Sequence, residues 1–332
     1  MTRTSVASPA NIALIKYWGA VDLERALPLN PSISMTLREC VTVCTAAILP
    51  GGGEDLIQIA GADGILADAP GRFARAVAAH LDRLRARAGR DVPIRVATRN
   101  TFPTAVGLAS SAAGFSALAV AVTRLLGLRL GADELAELAR ASGSGSAARS
   151  VVGGFVEWGM AGAGDSAAIR VLADASHWDL RDVIAIVDET PKDVSSREGH
   201  RRAPGSPHYA ARSAELPRRL DVVRAAIAAR DLAAMGDVIE EEAIELHLIA
   251  MSSRPPIFYW EPGTLRVLER VRRLRADGVP AYATMDAGAN VHVLCEPAWE
   301  ADVQAALVEL PDVVRVIRDG VGEGPADAPP LF

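Results

Sequence analysis

Cysteine is scarce in this sequence, and so are the long apolar runs that mark membrane proteins. The three cysteines of the 332 residues are Cys40, Cys44 and Cys295, and they form no Cys-x-x-Cys pair. An odd and sparse set of this kind is typical of reduced thiols, so we expect a cytoplasmic location. No run of about 18 apolar residues is present, so we expect no transmembrane helix. The first residues also lack the apolar core of a signal peptide.

Lysine is almost absent. Only Lys16 and Lys192 are lysines among the 35 basic residues. Because arginine supplies nearly all other positive charge, these two positions hint at a specific need for a compact, flexible ammonium group. The net charge is −6 and no long basic run occurs, so we expect no nucleic-acid partner. The six histidines show no paired metal-binding spacing.

One stretch, residues 100–121, has the composition of an anion-binding loop followed by a helix. It follows a strand-like run, contains Pro103 and Gly107, and leads through Ser110 and Ser111 into a small-residue apolar helix. Small residues before a helix let backbone N–H groups approach an anion, and the helix dipole favours negative charge there. An ordinary capped helix has the same local chemistry, so both interpretations remain open. The stretch is neither a Walker A loop nor a dinucleotide fingerprint.

Two further segments are rich in donors for an anion. Residues 142–150 are a Ser/Gly run that ends in Arg149 and Ser150, which fits either a flexible linker or an anion cradle. Residues 191–200 supply Lys192, two serines and Arg197 within a few positions, and on sequence alone they also fit a solvated loop. The turn that begins at Asp286 is equally typical of simple Asx hydrogen bonding.

The length is sufficient for one large or two ordinary domains, and the balance of apolar and charged residues is that of a soluble protein. Strand-like and helix-like segments are intermixed, with hairpins and no regular βαβ series, which predicts an α+β class. One such hairpin is predicted between residues 41–49 and 55–60 across Pro50 and three glycines.

The stretch at 100–114 resembles the phosphate loop of the GHMP kinase superfamily, and its residues are most similar to those of the mevalonate diphosphate decarboxylase family. Four other motifs follow the family in order, at residues 9–19, 28–37, 142–155 and 284–291, with a weaker match at 192–199. The resemblance implies an N-terminal ribosomal-S5-like domain over 1–190, a C-terminal ferredoxin-like domain over 191–320, and an active site in the cleft between them. Residues 321–332, rich in Gly and Pro, are expected to form a flexible tail.

The resemblance also implies roles for individual residues. Asp286 would orient or deprotonate the 3-hydroxyl of a 5-phosphorylated mevalonate, and Arg149 would bind its carboxylate. The substrate's phosphate end would be held by Tyr17, Lys16, Ser144, Gly145, Ser146, Ser196 and Arg197. The residues expected to bind ATP are Pro103, Gly107, Leu108, Ala109, Ser110 and Ser111, with Ser111 also the expected contact to Mg²⁺. A homodimer is expected, without a membrane partner.

The implied reaction phosphorylates the tertiary 3-hydroxyl with ATP and then loses phosphate and CO₂ in isoprenoid biosynthesis. One departure from the family bears on the substrate. After Gly19 the family usually has a lysine, whereas this chain has Ala20 and Val21. Less positive charge favours mevalonate 5-phosphate over the 5-diphosphate, with the diphosphate enzyme as the alternative. A GHMP kinase that stops after phosphorylation and a non-catalytic binding protein are further alternatives.

Overall fold

A computed structural model of the chain describes residues 2–61, 63–103, 110–161 and 167–332. Gly107, Leu108 and Ala109 of the predicted phosphate loop therefore lie outside the described residues. The described part forms two larger sheets, a small hairpin and eight α-helices, which confirms the predicted α+β class. None of these helices combines the length and the apolar character needed to cross a bilayer.

The elements alternate irregularly along the chain. The strands are β1 (Arg3–Ile15), β2 (Ala20–Asp22), β3 (Leu27–Pro28), β4 (Ser32–Ile48), β5 (Leu56–Ala60), β6 (Leu66–Asp68), β7 (Ile94–Asn100), β8 (Phe155–Ala161), β9 (Ala167–Ala173), β10 (Arg181–Ile186), β11 (Ala281–Thr284), β12 (Val291–Cys295), β13 (Arg315–Gly320) and β14 (Ala326–Asp327). The α-helices are α1 (Gly71–Ala88), α2 (Ser110–Leu125), α3 (Ala132–Arg140), α4 (Ser196–Arg202), α5 (Tyr209–Ala229), α6 (Leu232–Ser252), α7 (Pro262–Ala276) and α8 (Glu300–Val308).

The first sheet has the order β14-β1-β4-β7-β5-β6, and β8 and β9 extend it from the start of β4. One face is covered by α1 and α2, whose Leu81 and Leu118 share a buried core cluster with Val96 of β7. The predicted hairpin between β4 and β5 is wrong. β7 lies between them and runs parallel to β5, because α1 crosses over the sheet and returns the chain in the same direction.

The second sheet is antiparallel, with the order β11-β12-β10-β13. Alternate residues of β10 enter two different cores, Val183 with α7 and α8, and Ile184 with α5 and α6. A strand stretch that is buried on both faces is a continuous apolar run in the sequence, as residues 183–186 of β10 are. This sheet begins at Arg181, so the domain boundary expected near residue 190 falls after its first strand.

A carboxylate joins the two sheets. Asp319 of β13 accepts hydrogen bonds from the backbone N–H groups of Arg38, Glu39 and Cys40 in β4, at 2.6, 2.9 and 2.9 Å. Hydrogen bonds from several N–H groups to one ionised carboxylate are among the stronger polar contacts in proteins. The contact therefore fixes how the two sheets meet, which positions the walls of the cleft between them.

The C-terminal residues differ from the expected flexible tail. β14 pairs antiparallel with β1, with Val6 opposite Asp327, and so forms an edge of the first sheet. The backbone N–H of Leu331 donates to the Thr45 hydroxyl at 2.9 Å, and the guanidinium of Arg95 lies 3.8 Å from the ring centroid of Phe332. Gly and Pro disfavour a helix here, but they leave edge pairing and side-chain anchoring available.

Candidate active site

A cleft of about 370 Å³ opens between the two sheets, and it brings together residues from widely separated parts of the sequence. Most of the predicted site residues line it: Lys16, Tyr17, Ser110, Ser111, Ser144, Gly145, Ser146, Arg149, Ser196, Arg197 and Asp286. Pro103 is half-buried and is not among the lining residues. Motifs that are distant in sequence thus converge on one cavity. A binding site requires such convergence, whereas turns with only local roles would be scattered over the surface.

Arg149 is buried, and its guanidinium is held by neutral partners. Its Nε and Nη2 donate to Oδ1 of Asn11 at 3.2 and 3.1 Å, and its Nη1 donates to the Ser32 hydroxyl at 2.7 Å. Within the described residues no carboxylate pairs with it. Burial lowers the pKa of Arg149 to about 10, against the opposing charges of Asp286 and Tyr17. A buried cation without a carboxylate partner is a strong candidate to bind an anionic ligand.

The Asp286 carboxylate and the Lys16 ammonium form an ion pair in the same cleft. Lys16 Nζ donates to Asp286 Oδ1 at 2.9 Å and to the Ala13 carbonyl at 2.6 Å. The Lys16 side chain is fully buried, whereas the Asp286 side chain is 25% exposed and can still receive a ligand. Burial alone raises the pKa of Asp286, but the charge and hydrogen bond of Lys16 outweigh it and hold the pKa below its ordinary value. Burial also lowers the pKa of Lys16, with the charge of Asp286 opposing.

The backbone of Lys16 is fixed from both sides by a buried ion pair. Oε1 of Glu242 accepts from the Lys16 N–H at 3.0 Å, and Nη2 of Arg212 donates to the Lys16 carbonyl at 2.8 Å. Arg212 and Glu242 also bind each other, and both are almost fully buried. Helices α5 and α6 therefore hold the end of β1 in place, and with it the ammonium that contacts Asp286.

Lys192, the second lysine, lies in the same cleft. Its Nζ donates to the Ser196 hydroxyl at 2.8 Å and to the Ala287 carbonyl at 2.6 Å. Burial lowers the pKa of Lys192 to about 8, opposed by the charge of Asp286. Both lysines of the chain thus lie in one cavity. This agrees with the specific need for an ammonium group that the scarcity of lysine suggested.

The Ser/Gly segment is a buried 3₁₀ helix, Gly145–Val151, so its interpretation as a flexible linker is wrong. Its apolar residues Ala147 and Ala148 are fully buried, which fixes the segment. Its hydroxyls form a cluster with the start of α2: Ser144 Oγ lies 3.2 Å from Ser111 Oγ and 3.3 Å from Ser146 Oγ.

Gly145 is needed for a close approach within this cluster. A Cβ at this position would lie 2.5 Å from the ring of Tyr17, so a side chain there would displace the tyrosine. Ser110 and Ser111 are the first residues of α2, so the positive end of the helix dipole is directed at the hydroxyl cluster.

No sequence motif singles out His200, which also lines the cleft. Its ring stacks on Tyr17 with centroids 4.1 Å apart, and its Nδ1 accepts from the Gly19 N–H at 3.1 Å. The ring of Tyr17 also contacts Trp158 edge-on at 5.2 Å. His200 therefore holds the aromatic side chains of the cleft wall in place. This role depends on how α4 packs against the segment that follows β1, and no sequence motif predicts that packing.

Three histidines, two buried and one half-buried in the cleft wall, make stability depend on pH. Burial, reinforced by nearby positive charges, lowers the pKa of His80 to about 4 and the pKa values of His200 and His247 to about 3. The unfolded chain takes up these protons below pH ~6.5, whereas the folded chain does not. We therefore expect the free energy of unfolding to fall as pH decreases from about 6.5 toward 4, by up to about 1.4 kcal/mol per pH unit for each histidine.

Urea unfolding at pH 7, 6 and 5 measures this effect. His80→Gln should flatten the pH dependence, whereas His208→Gln, at an exposed position, should leave it unchanged. A free energy of unfolding that stays constant from pH 7 to pH 5 would contradict the prediction.

The cleft has a strong excess of positive charge. Among the described residues that line it, Lys16, Arg149, Lys192 and Arg197 are cations and Asp286 is the only acid. No group of three or more acidic, His or Cys side chains in the described ranges is placed to hold a metal ion. With serine hydroxyls and a helix N-terminus beside these cations, the arrangement suits a ligand that carries several negative charges.

Comparison with known proteins agrees with this chemistry. Residues 8–169 match the family model described as diphosphomevalonate decarboxylase-like N-terminal domain, and residues 182–324 match the mevalonate 5-diphosphate decarboxylase C-terminal domain. The diphosphomevalonate decarboxylase of Candida albicans is 34% identical, over 98% of this chain and 98% of the relative.

Solved structures give the same result. The mevalonate diphosphate decarboxylase of Staphylococcus aureus has a TM-score of 0.91 and 31% identity, over 99% of this chain and 98% of that chain. A protein designated MDDEF, solved in complex with MVAPP, AMPPCP and magnesium, has a TM-score of 0.88 and 34% identity, over 98% of each chain. These matches confirm the predicted two-domain GHMP architecture. From both halves of its sequence and from its whole fold, this chain belongs to the diphosphomevalonate decarboxylase family.

Proposed function

We propose that this protein is an ATP-dependent decarboxylase that converts mevalonate 5-diphosphate to isopentenyl diphosphate. The observation that carries the proposal is Arg149, a buried guanidinium that pairs with no carboxylate in the described part of the chain and lies in the same cleft as the Asp286 carboxylate. One group suits the C1 carboxylate of the substrate and the other suits its 3-hydroxyl. The names of the similar proteins support this assignment.

Asp286 would receive the 3-hydroxyl. Its lowered pKa keeps it ionised at neutral pH, so it accepts a hydrogen bond from the hydroxyl and aligns the oxygen with the γ-phosphate of ATP. Phosphoryl transfer depends on position and charge neutralisation more than on a strong base, so a carboxylate held in place by Lys16 is suitable. The hydroxyl proton would pass to the Asp286 carboxylate as the new O–P bond forms and the bond between the γ-phosphorus and the ADP oxygen breaks.

Arg149 would orient the carboxylate for the second step. When phosphate leaves C3, the electron pair of the C1–C2 bond forms the C2–C3 double bond, and C1 departs as CO₂. The fixed hydrogen bonds of Arg149 to Asn11 and Ser32 hold its remaining N–H groups in one direction. A preorganised donor of this kind costs no reorganisation during the reaction.

ATP would bind at the start of α2, where the hydroxyls of Ser110 and Ser111 meet the positive end of the helix dipole. The described residues fit Mg²⁺ through the Ser111 hydroxyl, together with phosphate oxygens that the nucleotide supplies. Bound Mg²⁺ would neutralise part of the triphosphate charge. The MDDEF complex, which contains the ATP analogue AMPPCP and magnesium, supports ATP and Mg²⁺ as the cofactors.

The proposed substrate is the 5-diphosphate and not the 5-monophosphate that the sequence favoured. The similar proteins are named for the diphosphate, so the comparisons support that alternative. The charge argument from Ala20 loses weight because Ala20 is not among the residues that line the cleft, whereas Lys16, Lys192 and Arg197 are. These cations, with the hydroxyls of Ser144, Ser146 and Ser196, would bind the diphosphate end.

The proposal predicts that ATP-dependent CO₂ release is fastest with mevalonate 5-diphosphate. We expect kcat/KM to rank the diphosphate above the 5-phosphate, with no measurable release from mevalonate itself. The experiment follows labelled CO₂ and ADP for the three substrates at fixed ATP. A preference for the 5-phosphate would restore the monophosphate interpretation. ADP release without CO₂ would indicate a kinase, and the release of neither would indicate a binding protein.

A further inference from the structure

The hairpin of β2 and β3 forms one side of the cleft entrance. Leu23 and Ala26, in the turn between the two strands, line the cleft. Ala20 and Val21 belong to the same hairpin, and Val21 is 69% exposed. The hairpin therefore contributes part of the cleft surface. Its acidic residue Glu24 lies in the same turn, where its negative charge can affect the binding of an anion.

The turn of this hairpin is rigid. Oδ1 of Asp22 accepts from the N–H groups of Glu24 and Arg25 at 2.8 and 3.0 Å. The buried Arg140 donates to the Arg25 carbonyl from beneath. Ala26 adopts a φ of 47°, a conformation that alanine rarely takes and that the surrounding contacts must impose. The position of Glu24 is thus set by the fold.

The Glu24 carboxylate pairs with Nη2 of Arg197, across the entrance from α4. Arg197 also approaches the serine cluster, since a Cβ built on Gly143 would lie 3.4 Å from its Nη1. The pair is exposed, with 87% of the Glu24 side chain and 48% of the Arg197 side chain accessible. Exposed ion pairs contribute little free energy, so a multiply charged ligand can replace the carboxylate.

We propose that Glu24 is a specificity-determining residue that competes with the phosphate end of the substrate for Arg197. The proposal rests on the proposed function, which places a phosphorylated substrate in this cleft. When the substrate binds, its phosphate takes the place of the Glu24 carboxylate, and Glu24 stays nearby because its turn is rigid. Glu24 then lowers affinity, and it does so more for a diphosphate than for a monophosphate because the repulsion grows with ligand charge.

The test is calorimetric binding without ATP, so that no turnover occurs. Glu24→Gln should bind mevalonate 5-diphosphate about two- to five-fold more tightly than the wild-type protein, with a smaller gain for the 5-phosphate. The same substitution in an Arg197→Gln background should have a smaller effect. Glu54→Gln, an equal charge change at an exposed position remote from the cleft lining, should leave the dissociation constants unchanged.

Unchanged or weaker binding by Glu24→Gln, or an equal gain in both backgrounds, would overturn the competition. Inorganic pyrophosphate is a second probe, which tests the competition without assuming the organic part of the substrate. CO₂ release by the wild-type protein decides the proposed function separately. If CO₂ is released and Glu24→Gln binds no more tightly, the function stands and the role of Glu24 is wrong. If no CO₂ is released but pyrophosphate binds more tightly to Glu24→Gln, the competition stands without the function.

Discussion

Replacing Asp286 with asparagine should lower kcat about 10²- to 10⁴-fold, the usual loss when a catalytic carboxylate is removed. Asparagine keeps the shape but supplies neither a charge nor a proton acceptor for the 3-hydroxyl. Its amide oxygen can still accept a hydrogen bond from Lys16, but the negative charge that compensates this buried ammonium is lost. Since Ser110 and Ser111 are unchanged, ATP should still bind.

Single-turnover release of ADP and CO₂ measures the loss, and binding of a fluorescent ATP analogue with a thermal melt shows that the site remains folded. Asp193→Asn is the matched control, because it changes an exposed aspartate near the cleft outside the lining residues. If Asp286→Asn turns over within a few-fold of wild type, Asp286 is only a turn residue.

Arg149→Lys should lose CO₂ release by about 10²-fold or more, the range seen when one preorganised donor is removed, although the positive charge is kept. The guanidinium uses three N–H groups for Asn11 and Ser32 and still presents donors to the cleft. The three donors of an ammonium cannot satisfy these partners and bind a carboxylate with two parallel hydrogen bonds as well. ATP-dependent phosphorylation of the 3-hydroxyl should be less affected, because Asp286 and Lys16 remain paired.

Comparing ADP formation with CO₂ release in the same reaction separates the two steps. Arg272→Lys, at an exposed position on α7, is the control for the general effect of the substitution. Decarboxylation at the wild-type rate in Arg149→Lys would show that another group binds the carboxylate.

The sequence predicted many members of the cleft because their motifs combine chemistry that a plain strand or linker does not need. Asn11, in the motif at 9–19, and Ser32, in the motif at 28–37, hold Arg149 of the motif at 142–155. A polar residue in an otherwise apolar strand is costly unless it has such a partner. The scarcity of lysine pointed to Lys16 and Lys192 for a related reason, since a bias toward arginine makes each exception informative.

Other features depend on contacts that no local pattern encodes. The stacking of His200 on Tyr17 and the ion pair of Glu24 with Arg197 join segments that are far apart in sequence. The order β4-β7-β5 was missed because a Gly-rich turn between two strands predicts a hairpin, while the crossover through α1 depends on how that helix packs on the sheet. The names of the similar proteins favour the diphosphate over the monophosphate predicted from Ala20, and the sequence alone did not show that Ala20 lies outside the residues that line the cleft.

The pairing of β14 with β1 has a consequence for how the protein is made. Almost the whole length of the chain separates Val6 from Asp327, its partner across the two strands. During translation β1 is produced long before β14, so the outer edge of β1 stays uncovered until all the elements between these two strands have been made. An uncovered strand edge invites pairing with other chains, and contacts this distant in sequence form slowly. The yield of active protein should therefore depend on chaperone supply and on growth temperature, and the shortest C-terminal truncations should lower solubility before they lower activity.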